Sequence, residues 1–202
     1  MKEMMKNVLI LFVITVVAGG ILGTVYEVTK EPIKKAEEQA KMEAYREVFK
    51  DASDFEEEEL EDVADTTLMR GGFAGVSMDA SLKAKAADGT QLGYVFVLTS
   101  HEGYGGDIQI AMGVRMDGTT NGISILQISE TPGLGMEAEP VLKPQFTDKK
   151  AKQFEYTKSG ASSENEIDAI SGATVTTKAV TSTVNAGLFY FHNNCKGGAV
   201  NE

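Results

Sequence analysis

Near the carboxyl end of the chain, the seven residues from Asp168 to Thr174 place the hydroxyl of Thr174 next to two residues with almost no side chain. The segment reads DAISGAT, so Thr174 follows Gly172 and Ala173 directly and precedes a stretch with helical periodicity. A serine or threonine acts as a nucleophile only when a base or a depressed pKa activates it. Neither of the two histidines lies in or near this segment. An unactivated hydroxyl framed by small residues is typical of an attachment point that another enzyme modifies.

A structural interpretation of the same residues is open from this stretch alone. Ser171 and Thr174 stand just before an apolar periodic run, where serine and threonine commonly cap a helix. Under that interpretation the hydroxyl accepts a backbone hydrogen bond and has no further role.

Two more motifs lie upstream, in the order glycine turn, proline–glycine loop and threonine motif. Gly103 to Gly106 reads GYGG, and Ser129 to Gly135 reads SETPGLG. Together with DAISGAT, these resemble the motifs of covalent FMN-binding domains, whose signature is D-x-x-[ST]-G-A-T. The resemblance covers roughly the last half of the chain. Within this group, the chain resembles the G subunits of Rnf ion-translocating electron-transport complexes and the related C subunits of sodium-translocating NADH:quinone reductases.

The resemblance implies that a flavin transferase esterifies Thr174 to the phosphate of FMN. Ser171, Gly172 and Ala173 would surround that ester, and the small residues would leave room for both the phosphate and the transferase. A phosphate at the start of a helix is favoured by free backbone N–H groups and by the helix dipole. Asp168 is expected to orient the loop or bind the transferase.

The segment from Glu130 to Gly135 is the expected second wall of the flavin site. Its proline and glycines fix an irregular backbone that can present N–H and C=O groups to the flavin ring. Thr131 is a candidate hydrogen-bonding partner, and Leu134 is a candidate to pack on the ring face. The alternative is a plain turn at the end of a strand. The GYGG segment is expected to form a β-turn, since it lacks the Lys-[Ser/Thr] of a phosphate-binding P-loop.

An apolar stretch near the amino terminus predicts a membrane anchor. Residues 7–26 contain no Asp, Glu, Lys, Arg or His, and twenty helical residues span a hydrocarbon core of roughly 30 Å. A cleaved signal peptide is the alternative. Lysines on both sides leave the orientation open, and the resemblance implies a cytoplasmic amino terminus with the domain on the outer face of the inner (cytoplasmic) membrane.

These features divide the chain into four parts. Residues 1–6 form a cytoplasmic amino terminus, 7–26 a transmembrane helix, 27–62 a linker helix with an acidic segment, and 63–202 the FMN-binding domain. Within the linker, Pro32 is expected at the first turn of a new helix. The acidic stretch from Asp51 to Asp62 is expected to be a solvated loop or helix surface.

The periodicity of residues 63–202 predicts an α+β fold with an antiparallel sheet and flanking helices. Strand periodicity at 82–86, 94–99, 108–116 and 123–128, with turn signals at Asp88-Gly89 and Asp117-Gly118, predicts four strands. Residues 137–154 are expected to be irregular to helical. Residues 174–192 predict a closing helix whose buried face carries four apolar side chains, Val180, Val184, Leu188 and Phe191.

Charge and cysteine content exclude several functions. The formal net charge is −11, and it becomes −12 without residues 1–26, so nucleic acid would be repelled. The single cysteine, Cys195, cannot form an intrachain disulfide or a four-ligand metal site. Because it lies in a polar tail, it is expected to be structurally neutral, with a cluster shared with another subunit as the alternative.

Three functions remain to be compared. The first is a membrane-anchored electron carrier with covalent FMN, acting among other membrane subunits. The second is a cofactor-free, single-pass assembly subunit. The third is a flavin-dependent reductase with its own substrate pocket. The sequence contains no dinucleotide-binding fingerprint, which favours a relay over a protein that oxidises NADH itself.

Overall fold

A computed structural model describes residues 1–60 and 63–195, so the parts of the predicted divisions that fall on 61–62 and 196–202 lie outside the described residues. The chain forms two compact units, residues 1–40 and residues 41–202. The helices are α1 (Lys2–Val48), α2 (Val63–Arg70) and α3 (Thr174–Tyr190). The strands are β1 (Asp54–Glu58), β2 (Val76–Lys85), β3 (Gln91–Ser100), β4 (Ile108–Arg115), β5 (Thr120–Ile128), β6 (Glu155–Thr157) and β7 (Glu166–Asp168).

The first unit is helical. Among the described residues, α1 is the one helix long and apolar enough to cross a membrane, and its most apolar 18-residue stretch has a mean hydropathy of 2.7. The expectation that a new helix starts at Pro32 is wrong, because Pro32 lies inside α1. Proline is well suited to a first turn, but its fixed φ is also helical. Inside a helix, however, its missing N–H and its ring are unfavourable, so the local rule favours a helix start and fails where α1 continues through Pro32.

The second unit is built on a five-stranded antiparallel sheet in the order β1-β2-β3-β4-β5. The predicted turn signals are confirmed: Gly89 joins β2 to β3 with φ +84°, and Gly118 joins β4 to β5 with φ +87°. Glycine adopts this left-handed conformation without the steric penalty of a Cβ. The four predicted strands are present as β2 to β5, each somewhat longer or differently bounded than expected.

The fifth strand corrects the expectation of a solvated loop or helix surface in the acidic stretch. Residues Asp54–Glu58 pair with β2, and Lys83 lies 2.6 Å from Glu58, while Lys85 pairs with Glu56. The ring of Phe55 packs on Tyr45, with centroids 5.7 Å apart. Cross-strand lysines and one aromatic contact make the acidic segment compatible with a strand.

The face of the sheet towards α3 carries the larger core, which we call the α3-side core. The apolar face predicted for the closing helix is confirmed, since its four side chains are all fully buried: Val180, Val184, Leu188 and Phe191. Helical turns at Gly135–Glu137, Ala138–Leu142 and Lys143–Phe146 confirm the irregular segment. A small parallel pair, β6 and β7, was not anticipated. The largest fully buried side chains here include Phe96, Leu98, Ile110, Phe146 and Phe154.

The opposite face carries a smaller cluster, which we call the α1-side core. The end of α1 contributes Ala44, Tyr45 and Val48, and Phe49 follows them. The sheet contributes small and aliphatic partners, namely Leu82, Ala84, Val95, Val97 and Ala111. Lys143 lies 2.7 Å from Glu47 at the margin of this cluster.

Candidate functional site

The start of α3 leaves backbone donors free. Ala173 is the N-cap residue and makes no side-chain capping bond, so the interpretation of Ser171 or Thr174 as the cap is wrong. The first helical hydrogen bond runs from the Thr177 N–H to the Ala173 carbonyl, at 3.0 Å. The N–H groups of residues 174–176 therefore have no acceptor within the helix. Thr174 is half-buried as the first helical residue.

The turn before α3 is held by hydrogen bonds that spare the Thr174 hydroxyl. Thr177 Oγ1 accepts from the Ile170 N–H at 3.1 Å and donates to the Ala173 carbonyl at 2.9 Å. Gly172 has φ +78°, a conformation that favours glycine. Asp168 Oδ1 accepts from the Ala161 N–H at 2.6 Å. The carboxylate of Asp168 therefore bonds the segment that precedes β7, and not the turn between Asp168 and Thr174.

The proline–glycine loop folds back on itself beside this turn. The Thr131 carbonyl accepts hydrogen bonds from the N–H groups of Leu134 and Met136, at 3.1 and 3.3 Å. Gly133 has φ +73° at the tip. The Leu134 side chain reaches the helix start, since a Cβ on Gly172 would lie 3.1 Å from Leu134 Cδ2. The loop is thus a wall of the same site as Thr174.

The glycine segment between β3 and β4 is joined to this wall by Glu130. That residue is only 7% exposed, and its Oε1 accepts from the Tyr104 N–H at 2.7 Å. A Cβ on Gly103 would overlap the Gly106 carbonyl oxygen, and one on Gly105 would overlap the Ser129 carbonyl oxygen. A buried carboxylate is unfavourable unless it accepts hydrogen bonds. The Tyr104 N–H supplies one such bond to Glu130, and the same bond holds the glycine segment in place.

The three segments enclose one cleft of about 450 Å³. Six of the seven predicted site residues line it, whereas Ser171 is exposed in the preceding turn and is not among the lining residues. The lining residues are Tyr104, Glu130, Thr131, Leu134, Gly135, Gly172, Ala173, Thr174, Val175 and Thr176.

Sequence reasoning missed the side chains of Tyr104, Val175 and Thr176, and it missed the packing role of Gly135. A Cβ on Gly135 would lie 2.6 Å from Glu130 Oε2 and 2.7 Å from Thr176 Oγ1. The available signal for Tyr104 was an aromatic residue set among three glycines in the GYGG motif. No sequence pattern indicated that Glu130 binds the backbone of Tyr104.

Among the side chains that the structure describes at the cleft there is no histidine, and the one carboxylate, that of Glu130, accepts a hydrogen bond from the Tyr104 N–H. His101 is engaged elsewhere, with Nδ1 at 3.1 Å from Asp107 Oδ1 and Nε2 at 3.2 Å from Ser77 Oγ. Residues 1–60 and 63–195 contain no group of three or more His, Cys, Asp or Glu side chains suited to a metal ion. Burial raises the pKa of Cys195 to about 12, so its side chain is a neutral thiol at pH 7.

The geometry suits a ligand that combines a phosphate with a partly apolar body. Free N–H groups at the start of a helix hold a phosphate, and a partly apolar cleft of this size is in the range of organic cofactor pockets. Residues 103–188, which include the whole cleft, match the family described as "FMN-binding domain". The class is therefore that of FMN-binding domain proteins.

Comparisons along the whole chain define the family more narrowly. Residues 1–48 match the "RnfG N-terminal region". The chain is 36% identical over 197 residues to the G subunit of the Na⁺-translocating ferredoxin:NAD⁺ oxidoreductase complex of Acetobacterium woodii, covering 96% of this chain and 95% of that protein. It is 31% identical to the G subunit of the ion-translocating oxidoreductase complex of Methanosarcina acetivorans, covering 94% and 95%. The chain belongs to the family of G subunits of Rnf-type ion-translocating oxidoreductase complexes.

The C subunit of the Na⁺-translocating NADH-quinone reductase from Parabacteroides distasonis aligns with a TM-score of 0.48 and 25% identity, covering 69% of this chain and 76% of that one. The motifs resemble both Rnf-type G subunits and the C subunits of NADH:quinone reductases. The matches over nearly the whole chain are to the Rnf-type G subunits.

The residues present fit FMN. Thr174 lies at the first turn of a 17-residue helix, where a phosphate on its hydroxyl would lie close to the free N–H groups of α3. Leu134, Val175 and Tyr104 present apolar surface at the cleft, with 41%, 46% and 74% of each residue exposed. Thr131 and Glu130 add polar atoms on one wall.

Proposed function

We propose that this chain is a membrane-anchored electron-transfer subunit that carries FMN covalently on Thr174 within an Rnf-type complex. Such a complex couples ferredoxin and NAD⁺ redox chemistry to the transport of Na⁺ or H⁺. The G subunit relatives and the FMN-binding domain match support the cofactor and the complex. The single observation that carries the covalent assignment is the position of the Thr174 hydroxyl.

Thr174 combines three properties that suit a phosphoester. It is half-buried at the mouth of the cleft, its side chain does not cap the helix, and it opens a helix with free N–H groups. A phosphate that keeps a negative charge is stabilised there by the backbone and the helix dipole. Gly172 adds no side chain beside the hydroxyl, which favours access by a modifying enzyme.

FMN when bound supplies the redox chemistry, while the chain sets its position and surroundings. Thr174 is the tether, and the N–H groups of Val175 and Thr176 hold the phosphate. Leu134 and Thr131 contribute apolar contact and hydrogen bonding on the second wall. Glu130 holds the backbone of the glycine loop through its hydrogen bond with the Tyr104 N–H.

A covalent link suits a domain on the outer face of the cytoplasmic membrane. A reversible site stays filled only while free ligand exceeds its dissociation constant, and a tether removes that requirement. We place residues 1–6 in the cytoplasm, 7–26 across the membrane and the second unit outside; of the predicted linker 27–62, the end of α1 and β1 belong to that unit. The absence of Asp, Glu, Lys, Arg and His from 7–26 argues that other membrane subunits provide the ion path.

The test is to express the chain with a flavin transferase and to follow covalent flavin. Thr174→Ala should abolish flavin fluorescence of the band in a denaturing gel, while protein accumulation stays unchanged. Ser159→Ala is the matched control, because it removes an exposed hydroxyl that lies outside both the DAISGAT motif and the cleft. It should keep full fluorescence.

Intact-mass analysis of the wild-type chain from its own cells completes the test. The expected mass exceeds that of the polypeptide by one FMN less one water. A wild-type chain that carries no such addition would exclude the covalent assignment and would favour a cofactor-free assembly subunit.

A further inference from the structure

We propose that Tyr104 is a positioning residue for the flavin, with its ring against the isoalloxazine system in the cleft. This inference rests on the proposed function, because it requires FMN at Thr174. Tyr104 lines the same cleft as Thr174.

The first argument is the contrast between a fixed backbone and a free side chain. The Tyr104 N–H donates to the buried Glu130 carboxylate at 2.7 Å, and the flanking glycines have no room for a Cβ. His101 and Asp107, 3.1 Å apart, close the base of the loop. Yet 74% of Tyr104 is exposed. The fold holds the backbone of this residue in place and leaves its ring bare.

The second argument is that most other aromatic rings described in the second unit lie in ring pairs, with Phe49 and Tyr156 as the exceptions. Tyr94 stacks on Phe96 at 5.8 Å, and Phe146 meets Phe154 edge-on at 5.1 Å. Such pairs are favourable beyond the area that they bury. Within the described residues Tyr104 has no ring contact of this kind.

The third argument is convergence. Leu134, Met136 and Val175 are 41%, 41% and 46% exposed, and two of them line the cleft together with Tyr104. Exposed apolar groups that gather at one concave site mark a ligand or partner. A phosphate anchored at Thr174 leaves the rest of the FMN within reach of this rim. The occupant that these groups suit is a flat aromatic ring.

The experiment compares Tyr104→Ala, Tyr104→Phe and Tyr104→Trp in the full chain, matured with a flavin transferase and kept in detergent. Tyr156→Ala is the matched control, since Tyr156 is 37% exposed and lies in β6. Covalent flavin is quantified by intact mass. Flavin fluorescence is then measured before and after unfolding of the same sample, and visible circular dichroism reports the surroundings of the ring.

Tyrosine and tryptophan quench flavin fluorescence by electron donation at contact, whereas phenylalanine and alanine do not. We expect the native fluorescence of Tyr104→Ala and Tyr104→Phe to rise several-fold at unchanged flavin content. Tyr104→Trp should stay as quenched as the wild type. Tyr104→Phe should also keep the visible circular dichroism of the wild type, and Tyr156→Ala should change neither signal.

Equal native fluorescence in the loaded wild-type and Tyr104→Phe chains would overturn the proposal. The Phe variant decides even where Tyr104→Ala takes up no flavin, because it keeps the ring and lacks only the quenching group. A wild-type chain without covalent flavin would instead refute the proposed function. That result is read from the intact mass before any variant is compared.

Discussion

The two faces of the sheet differ in what they position. The α3-side core contains 25 of the described residues, whereas the α1-side core contains nine. The cleft lies on the α3 side, where Ala173 belongs to both the core and the site. The α1 side receives the end of a helix that begins in the other unit. The large core therefore positions the cleft, and the small one packs the end of α1 on the sheet.

The largest expected effect is on the α3 side. Phe146 is fully buried and ends the helical turns that follow the proline–glycine loop. Phe146→Ala should lower the free energy of unfolding by about 4–5 kcal/mol, since it leaves a large cavity. Urea unfolding of the full chain in detergent, followed by circular dichroism, measures this. Covalent flavin should fall as well.

The matched truncation on the other face sharpens the comparison. Phe49 is 3% exposed and packs beside Gly93 and Gly113. Phe49→Ala should cost about 3 kcal/mol, at the lower end for such changes, because the α1-side core is smaller. Flavin content should remain that of the wild type. A loss of flavin equal to that of Phe146→Ala would show that the two faces do not act separately.

A smaller effect is expected at Gly135, between Glu130 and Thr176. Gly135→Ala places a Cβ 2.6 Å from the Glu130 side chain, and overpacking of this kind costs about 1–3 kcal/mol. The glycine loop should shift with Glu130, which native flavin fluorescence would report. Gly89→Ala is the control, because it strains a remote turn with φ +84° and meets no neighbouring atom. It should lower stability without altering the fluorescence.

An ion pair at the margin of the α1-side core contributes a small part of the stability. The Lys143 side chain is 20% exposed and pairs with Glu47 at 2.7 Å. Lys143→Met should reduce stability by less than about 1 kcal/mol, and added salt should shrink the difference. Lys150→Met, at an ion pair whose lysine is 64% exposed, should have a still smaller effect. An equal loss in both variants would contradict this ranking.

The smallest effect is a pH dependence at the turn between β4 and β5. Hydrogen bonds from the Thr119 backbone and hydroxyl, then Lys150, lower the pKa of Asp117 from 3.8 to about 2. This contribution to stability is present above pH 3.8 and is lost as the pH falls through about 2. Asp117→Asn should flatten that part of the stability curve. A slope unchanged by the substitution would assign the acid dependence to other carboxylates.

Local patterns predicted the elements where one short segment decides the structure. The stripe of α3 and the two Asp-Gly turns needed only helical periodicity and a glycine with positive φ. The same local rules failed at Pro32, because proline is favoured at a helix start and unfavourable in a helix interior, yet α1 continues through it. They failed at β1 because Lys83 and Lys85, which neutralise its glutamates, lie some 25 residues further along the chain.

The sequence by itself determined the residue types of the site: an unactivated threonine among small residues, and a loop rich in proline and glycine. It also determined an apolar stretch long enough for a membrane. Only the tertiary structure decided that Tyr104, Glu130 and Thr174 share one cleft, and that Ser171 does not line it. Turns and helices depend on neighbours a few residues apart, whereas a cleft depends on strand register and on packing between distant segments.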